Sequence, residues 1–218
     1  MANKPITAVI RALTLGLIVT IIGLIPSTAT YAAATPAETF VQQNIDNGLA
    51  VLNDRGLTPQ ERDMRFHDIL LSATDVRRVA LFTLGKYARD ASDSQINNFV
   101  NAFSDFFILA FEHHLDRNKG ATIEVTGSNV RAPDDVIVTA RLMGSDGMPV
   151  NIAFRVRKNA AGSDSVVDLQ VEGVSMVLTE RDEFSSYLQQ HGANIDNLAA
   201  QLGERAAKLR AGGSLAQR

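Results

Sequence analysis

Apolar and polar positions follow two different rhythms along this chain, and the change comes near Gly120. Before it, apolar residues recur every three to four positions, the period of a helix with one buried face. Val41, Ile45, Leu49 and Leu52 form one stripe, and Phe66, Ile69 and Leu70 a second. Val76, Val79, Ala80, Thr83 and Tyr87 form a third, over Asp75 to Tyr87. The fourth and widest holds Ile96, Phe99, Val100, Phe103, Phe107 and Phe111. Three helix starts are marked by a hydroxyl followed three residues on by a carboxylate or amide. They are Thr35-Pro36-Ala37-Glu38, Thr58-Pro59-Gln60-Glu61 and Ser92-Asp93-Ser94-Gln95. In such a capping box each side chain satisfies a backbone N–H of the other residue, and Pro in the first turn loses nothing by lacking one.

After Gly120 the period falls to two, and four strands are predicted: Ala121 to Thr126, Val136 to Leu142, Val150 to Val156 and Val166 to Val171. Turn residues such as Ser145-Asp146-Gly147 and Asn159-Ala160-Ala161-Gly162 separate them. Val136, Val138, Ala140 and Leu142 face one way and Thr139 and Arg141 the other; Val150, Ile152, Phe154 and Val156 likewise oppose Asn151, Arg155 and Arg157. Such alternation belongs to an antiparallel sheet with one apolar and one wet face. In the last strand Val167, Leu169 and Val171 share the apolar face, which runs on through Val174 and Met176 beyond the bend at Gly173. Helical spacing returns at Arg181 with Phe184, Tyr187 and Leu188, then with Ile195, Leu198, Ala199, Leu202 and Leu209. The expected architecture is α+β: a helical lobe over 35–118, a curved four-stranded antiparallel sheet over 121–174 and C-terminal helices over 180–209. A disordered tail is expected over 211–218.

The first 34 residues are set apart from this fold. Lys4 and Arg11 precede an apolar run from Ala12 to Ile25; Pro26 breaks it, and Ala32-Ala33-Ala34 offers a cleavage site. This is the layout of a cleaved export signal ending near Ala34, and the run is shorter than the ~18–20 residues of a spanning anchor. Cleavage removes two of the 21 Lys and Arg and none of the 24 Asp and Glu, leaving a net charge of −5. That balance argues against a nucleic-acid partner. The chain has no cysteine, so neither a disulfide nor a lipidated cysteine contributes.

Catalytic chemistry finds little support. The histidines His67, His113, His114 and His191 lack the spacing of a metal site, since His113 and His114 point in different directions on a helix. Asp134-Asp135 follows Pro133 where Asp is an ordinary turn former. Ser175 is not in a G-x-S-x-G elbow, and no phosphate-binding glycine loop occurs. The remaining oddity is Phe106 to Phe111, apolar nearly all round, within a helix carrying five phenylalanines. It predicts either burial on several sides or the wall of a ligand pocket, and composition does not separate the two.

Two stretches then carry a resemblance. Phe82 to Phe103, "FTLGKYARDASDSQINNFVNAF", is similar to the first signature of the MlaC family, periplasmic phospholipid carriers of the lipid-asymmetry pathway, at Phe82, Leu84, Gly85, Tyr87, Gln95 and Phe99. Asp168 to Phe184 resembles its second signature at Asp168, Val171, Glu172, Gly173, Val174, Ser175, Arg181 and Phe184. Ala88 stands where that family usually has Trp, and Thr179-Glu180 where it has Asn-Tyr. Relatives linked to hopanoid biosynthesis share both signatures, so a pentacyclic cargo is the alternative ligand.

The resemblance implies a cystatin-like or NTF2-like sheet packed on helices, with acyl chains between them and the head group near the mouth. Bound lipid would be cargo rather than cofactor, and neither a metal nor an active site is called for. The expected pocket wall comprises Phe82, Leu84, Tyr87, Phe103 and Phe107 from the helices. From the sheet and the join beyond it come Val138, Leu142, Ile152, Phe154, Val156, Leu169, Val171, Val174 and Met176. Gly85, Asp168, Glu172, Gly173, Ser175 and Arg181 are expected to pin the strand-to-helix join. Partners implied are an inner-membrane MCE-domain complex with an ABC transporter and an outer-membrane lipoprotein complex. An adaptor with a filled core, or a periplasmic lipid hydrolase using Ser175, are the competing classes.

Overall fold

In the computed structural model all three expected capping boxes form. Thr35 Oγ1 accepts from the Glu38 N–H at 3.2 Å, and Glu38 Oε2 accepts from the Thr35 N–H at 2.9 Å, opening α1 (Pro36–Asn53). Thr58 and Glu61 open α2 (Pro59–Ala73) in the same way, and Ser92 with Gln95 opens α4 (Asp93–Asp116). The structure describes residues 33–116, 122–144 and 147–212. The expected export signal up to residue 32, the Ser145-Asp146 turn and the tail from residue 213 lie outside the described residues.

Between α2 and α4, one helix was expected over 75–87. Instead α3 (Val76–Leu84) ends at Gly85, and a 3₁₀ turn covers Gly85–Arg89. Gly85 has φ +56° and ψ −124°, a conformation that side-chain-bearing residues rarely adopt, so the helical ladder cannot continue through it.

The sheet is a meander of five antiparallel strands rather than four: β1 (Thr122–Ala132), β2 (Asp135–Met143), β3 (Pro149–Lys158), β4 (Asp164–Val171) and the short β5 (Val174–Ser175). β1 extends well past Thr126. Its second half is polar, which hid it from an alternation test, yet its backbone pairs with β2 through two register shifts, one of them at Gly127. β5 is joined to β4 by Glu172 and Gly173, both at positive φ (48° and 79°), as a two-residue hairpin turn requires.

The last helices also start differently. α5 (Met176–Gln190) begins five residues before Arg181, and α6 (Ile195–Arg210) follows. Two hydrogen bonds fix that start: Ser175 Oγ accepts from the Leu178 N–H at 3.1 Å, and Asp168 Oδ1 accepts from the Val177 N–H at 3.2 Å. Capping decides where this helix starts, whereas its apolar stripe becomes visible only a turn later.

Two separate cores hold these elements. One lies within α3, α4, α5 and α6, where Leu84, Phe99, Phe103, Phe184, Leu188, Leu198 and Leu202 are all buried. The other is smaller: Ala37 and Val41 of α1 rest on Val138 of β2 and Val156 of β3. The protein is therefore an α+β structure in which helices cover one face of a sheet, and the space between its two cores is the candidate site.

A candidate apolar cleft between two cores

The cleft is walled by four groups of residues. α1 gives Val41, Ile45, Leu49 and Leu52; α2 gives Phe66, Ile69, Leu70 and Ala73; α4 gives Phe107 and Phe111; the sheet gives Ile123, Phe154, Val166 and Leu169. Its empty volume is about 810 Å³, including space open to solvent. No charged side chain lines it. The only side chains in the lining that bear polar groups are Asn44 and Thr74, and the Asn44 amide is already engaged, donating to the Phe40 carbonyl at 2.8 Å.

The wall on α4 is an extension of a core. Phe103, Phe107 and Phe111 sit at i, i+4 and i+8 and stack with centroids 5.8 and 6.5 Å apart; Phe66 of α2 stacks on Phe111 at 6.3 Å. At the other end, Phe184 meets Phe99 and Phe103 edge-on. One row of rings thus runs from the buried bundle into the cleft: the helix packs in the core along much of its length and gives Phe107 and Phe111 of its second half to the cleft wall. The sequence had left those two readings open for the whole helix.

On the sheet side, a register shift between Arg155 and Val156 decides what faces the cleft. Phe154 pairs with Leu169 and Val156 with Val166, leaving Val167 as the extra residue of a bulge. Val166 and Leu169 therefore line the cleft, while Val167 packs against the helical core. The simple alternation of Val167, Leu169 and Val171 is corrected by this bulge, because one inserted residue turns every side chain before it to the other face.

Of the fourteen residues expected in the wall, Phe107, Phe154 and Leu169 line this cleft. Leu84 and Phe103 are fully enclosed in the helical core, with Tyr87 half-buried against it. Val138 and Val156 lie under α1. Leu142 and Val171 are half-buried in the sheet, and Ile152 is buried between Ala140 and Val171. Phe82 and Val174 are exposed, at 43% and 55%, and Met176 opens α5 half-buried. Val174 does not extend the apolar face of β4, because the hairpin turn at Glu172-Gly173 carries the chain away. Leu49, Leu52, Phe66, Ile69, Leu70 and Phe111 also line the cleft, though none was among the fourteen expected. Their signal was present as helix stripes, and only at Phe106 to Phe111 was a pocket wall one of the two readings left open.

The signature residues meet at the join. Besides the Ser175 and Asp168 caps, Glu172 Oε1 accepts from the Asn151 N–H at 2.5 Å and ties the hairpin to β3. Arg181 lies over the Phe82 ring at 4.8 Å, and its Nε would be 3.3 Å from a Cβ placed on Gly85. Gly85 is thus needed twice, for its backbone and for the approach of the guanidinium.

Elsewhere, charged groups serve structure. Asp135 takes a bidentate contact from Arg155, at 2.9 and 2.6 Å, and that guanidinium holds its carboxyl below the usual range despite partial burial. Asp134 pairs with Arg157 at 3.0 Å. The Ser175 hydroxyl is committed to its cap, His191 stacks on Tyr187 at 4.0 Å, and no cluster of three or more metal-ligating side chains exists among the described residues. Nor, among them, is any helix long and apolar enough to cross a membrane.

Fold and cleft together define an α+β protein with an apolar chamber and no charged group in it. The family model described as "MlaC protein" matches residues 42–204, and the chain belongs to that family. A solved structure similar to it is that of the phospholipid-binding protein from Ralstonia solanacearum in complex with a phospholipid. That structure superposes with a TM-score of 0.70 at 23% identity, covering 81% of this chain and 99% of the other. A similarity at this identity shows the fold.

Proposed function

We propose that this protein is an exported phospholipid carrier, cleaved near Ala34, that shields acyl chains in the cleft and passes lipid between inner- and outer-membrane complexes. The observation that carries the reading is the cleft itself: half-buried apolar side chains from α1, α2, α4 and the sheet face one another across empty space, with no charged residue among them. Membership of the MlaC family and the phospholipid bound to the Ralstonia protein support it.

The energetics suit a shuttle. At ~0.8 kcal/mol per buried methylene, a lipid with about thirty of them loses on the order of 20 kcal/mol of burial on entering water. A carrier has to return nearly all of that, which an apolar chamber does without catalysis. Native mass spectrometry of residues 35–218, followed by extraction of bound lipid, tests the reading. One phospholipid per chain is expected, and Phe154→Asp should abolish it by placing a carboxylate in the chamber while the protein remains folded. Stoichiometric lipid on the folded variant would contradict the placement, a pentacyclic mass would move the cargo to hopanoids, and bare protein after incubation with vesicles would favour an adaptor.

A further inference from the structure

Arg62 stands out among the cations of this protein. Its Nε is buried, its side chain is half-buried, and its guanidinium makes no hydrogen bond or ion pair with any described residue. Other partly buried arginines have a carboxylate partner: Arg155 with Asp135, Arg205 with Glu183, and Arg157, whose Nε is also buried without an acceptor, with Asp134 through Nη2. Leaving a buried donor of a charged group without an acceptor is costly, so such a group points to a missing partner.

Its position says what that partner is. Phe66 lies four residues further along α2 and Ile69 seven, so Arg62 shares the cleft-lining face of the helix, one turn or about 6 Å beyond Phe66. The other end of α2 is tied to the sheet through Thr74 and Val166. Arg62 therefore stands toward the end of α2 away from that tie, one turn past the Phe66–Phe111 stack. An apolar chamber with an unpaired guanidinium at one end matches a molecule with hydrocarbon at one end and a phosphate at the other.

We infer that Arg62 recognises the phosphate of the lipid whose chains fill the cleft. The inference rests on the carrier reading and adds to it a head-group contact that the chamber itself lacks. Guanidinium and phosphate match as a planar donor fork and an acceptor pair, and hydrogen bonds between ionised groups are roughly twice as strong as neutral ones.

The test offers delipidated protein equal amounts of dioleoylphosphatidylglycerol and dioleoylglycerol in the same detergent micelles and measures the ratio of the two lipids taken up. The wild type is expected to favour the phospholipid about tenfold, the scale of one charge-assisted contact. Arg62→Gln should bring the ratio close to one and Arg62→Lys should fall between. Arg65→Gln, at an exposed position on the same helix, should behave as the wild type. An Arg62→Gln protein that loads lipid with the wild-type ratio overturns this inference and leaves the carrier reading standing. If the wild type takes up neither lipid, both fail together. Inorganic phosphate, titrated by ³¹P NMR, separates the two sources of the anion: saturable binding that Arg62→Gln removes, without any lipid preference, assigns Arg62 to a free anion and overturns the lipid contact.

Discussion

Glu180 projects from α5 between Val177 and Phe184, two buried residues three before and four after it, and one of its carboxylate oxygens is buried without a hydrogen-bond partner. It is also one of the two positions where the second signature departs from its usual residues. Burial pushes its carboxyl up to about 7 and the charge of Glu183 adds to the rise, with Arg205 opposing both. A folded-state pKa above the ordinary 4.5 means that the folded protein holds the proton more tightly than the unfolded chain. Stability is then fully present below pH ~4.5 and declines as pH rises to about 7. Glu180→Gln should therefore stabilise the protein at pH 8, by up to roughly 3 kcal/mol, and leave it nearly unchanged at pH 4. Urea unfolding of both proteins at the two pH values reads this directly, and an equal gap at both would show that the carboxyl does not titrate with folding.

At the scale of elements, the chamber depends on α1 approaching α2 closely at Gly48. A Cβ there would sit 3.2 Å from the Phe66 ring, which is itself stacked on Phe111 and so has little room to yield. Gly48→Leu should fill that end of the chamber, reduce bound lipid several-fold and cost about 1–3 kcal/mol through overpacking; lipid extraction and thermal unfolding measure the two effects. Undiminished lipid in that variant would mean that α1 swings clear of α2. The elements themselves were largely legible. Capping boxes at Thr35, Thr58 and Ser92 and the alternation in β2 and β3 are local chemistry, and local chemistry can be read from one sequence. What escaped were features set by pairing or backbone conformation: the polar half of β1, the break at Gly85, and a start of α5 that depends on Asp168 eight residues before Met176.

For the molecule as a whole, the arrangement is two cores with a chamber between them, and α4 runs from the larger core into the chamber wall. That explains why the site was harder to read than the fold. Phe103 and Phe107 are identical residues one turn apart on the same stripe, yet Phe103 is buried with Phe184 of α5 edge-on to it, while Phe107, half-buried against the same core, also faces the chamber. Nothing in composition or period marks that boundary. The bulge at Val167 had a similar effect on the sheet, exchanging which valines face the chamber. Sequence reasoning could name the strands and the aromatic helix, while the geometry distributes their side chains between packing and cavity.

The central claim is that acyl chains occupy the space between α1, α2, α4 and the sheet. Photo-crosslinking tests it most directly, using a phospholipid with a diazirine near the end of one acyl chain and peptide mapping of the adducts. Adducts should fall on chamber residues such as Leu49, Phe66, Phe111 and Leu169, and Phe154→Asp should remove them. Adducts concentrated instead on the polar face of the sheet around Thr139 and Gln170, or at the exposed Phe82 and Val174, would contradict the account.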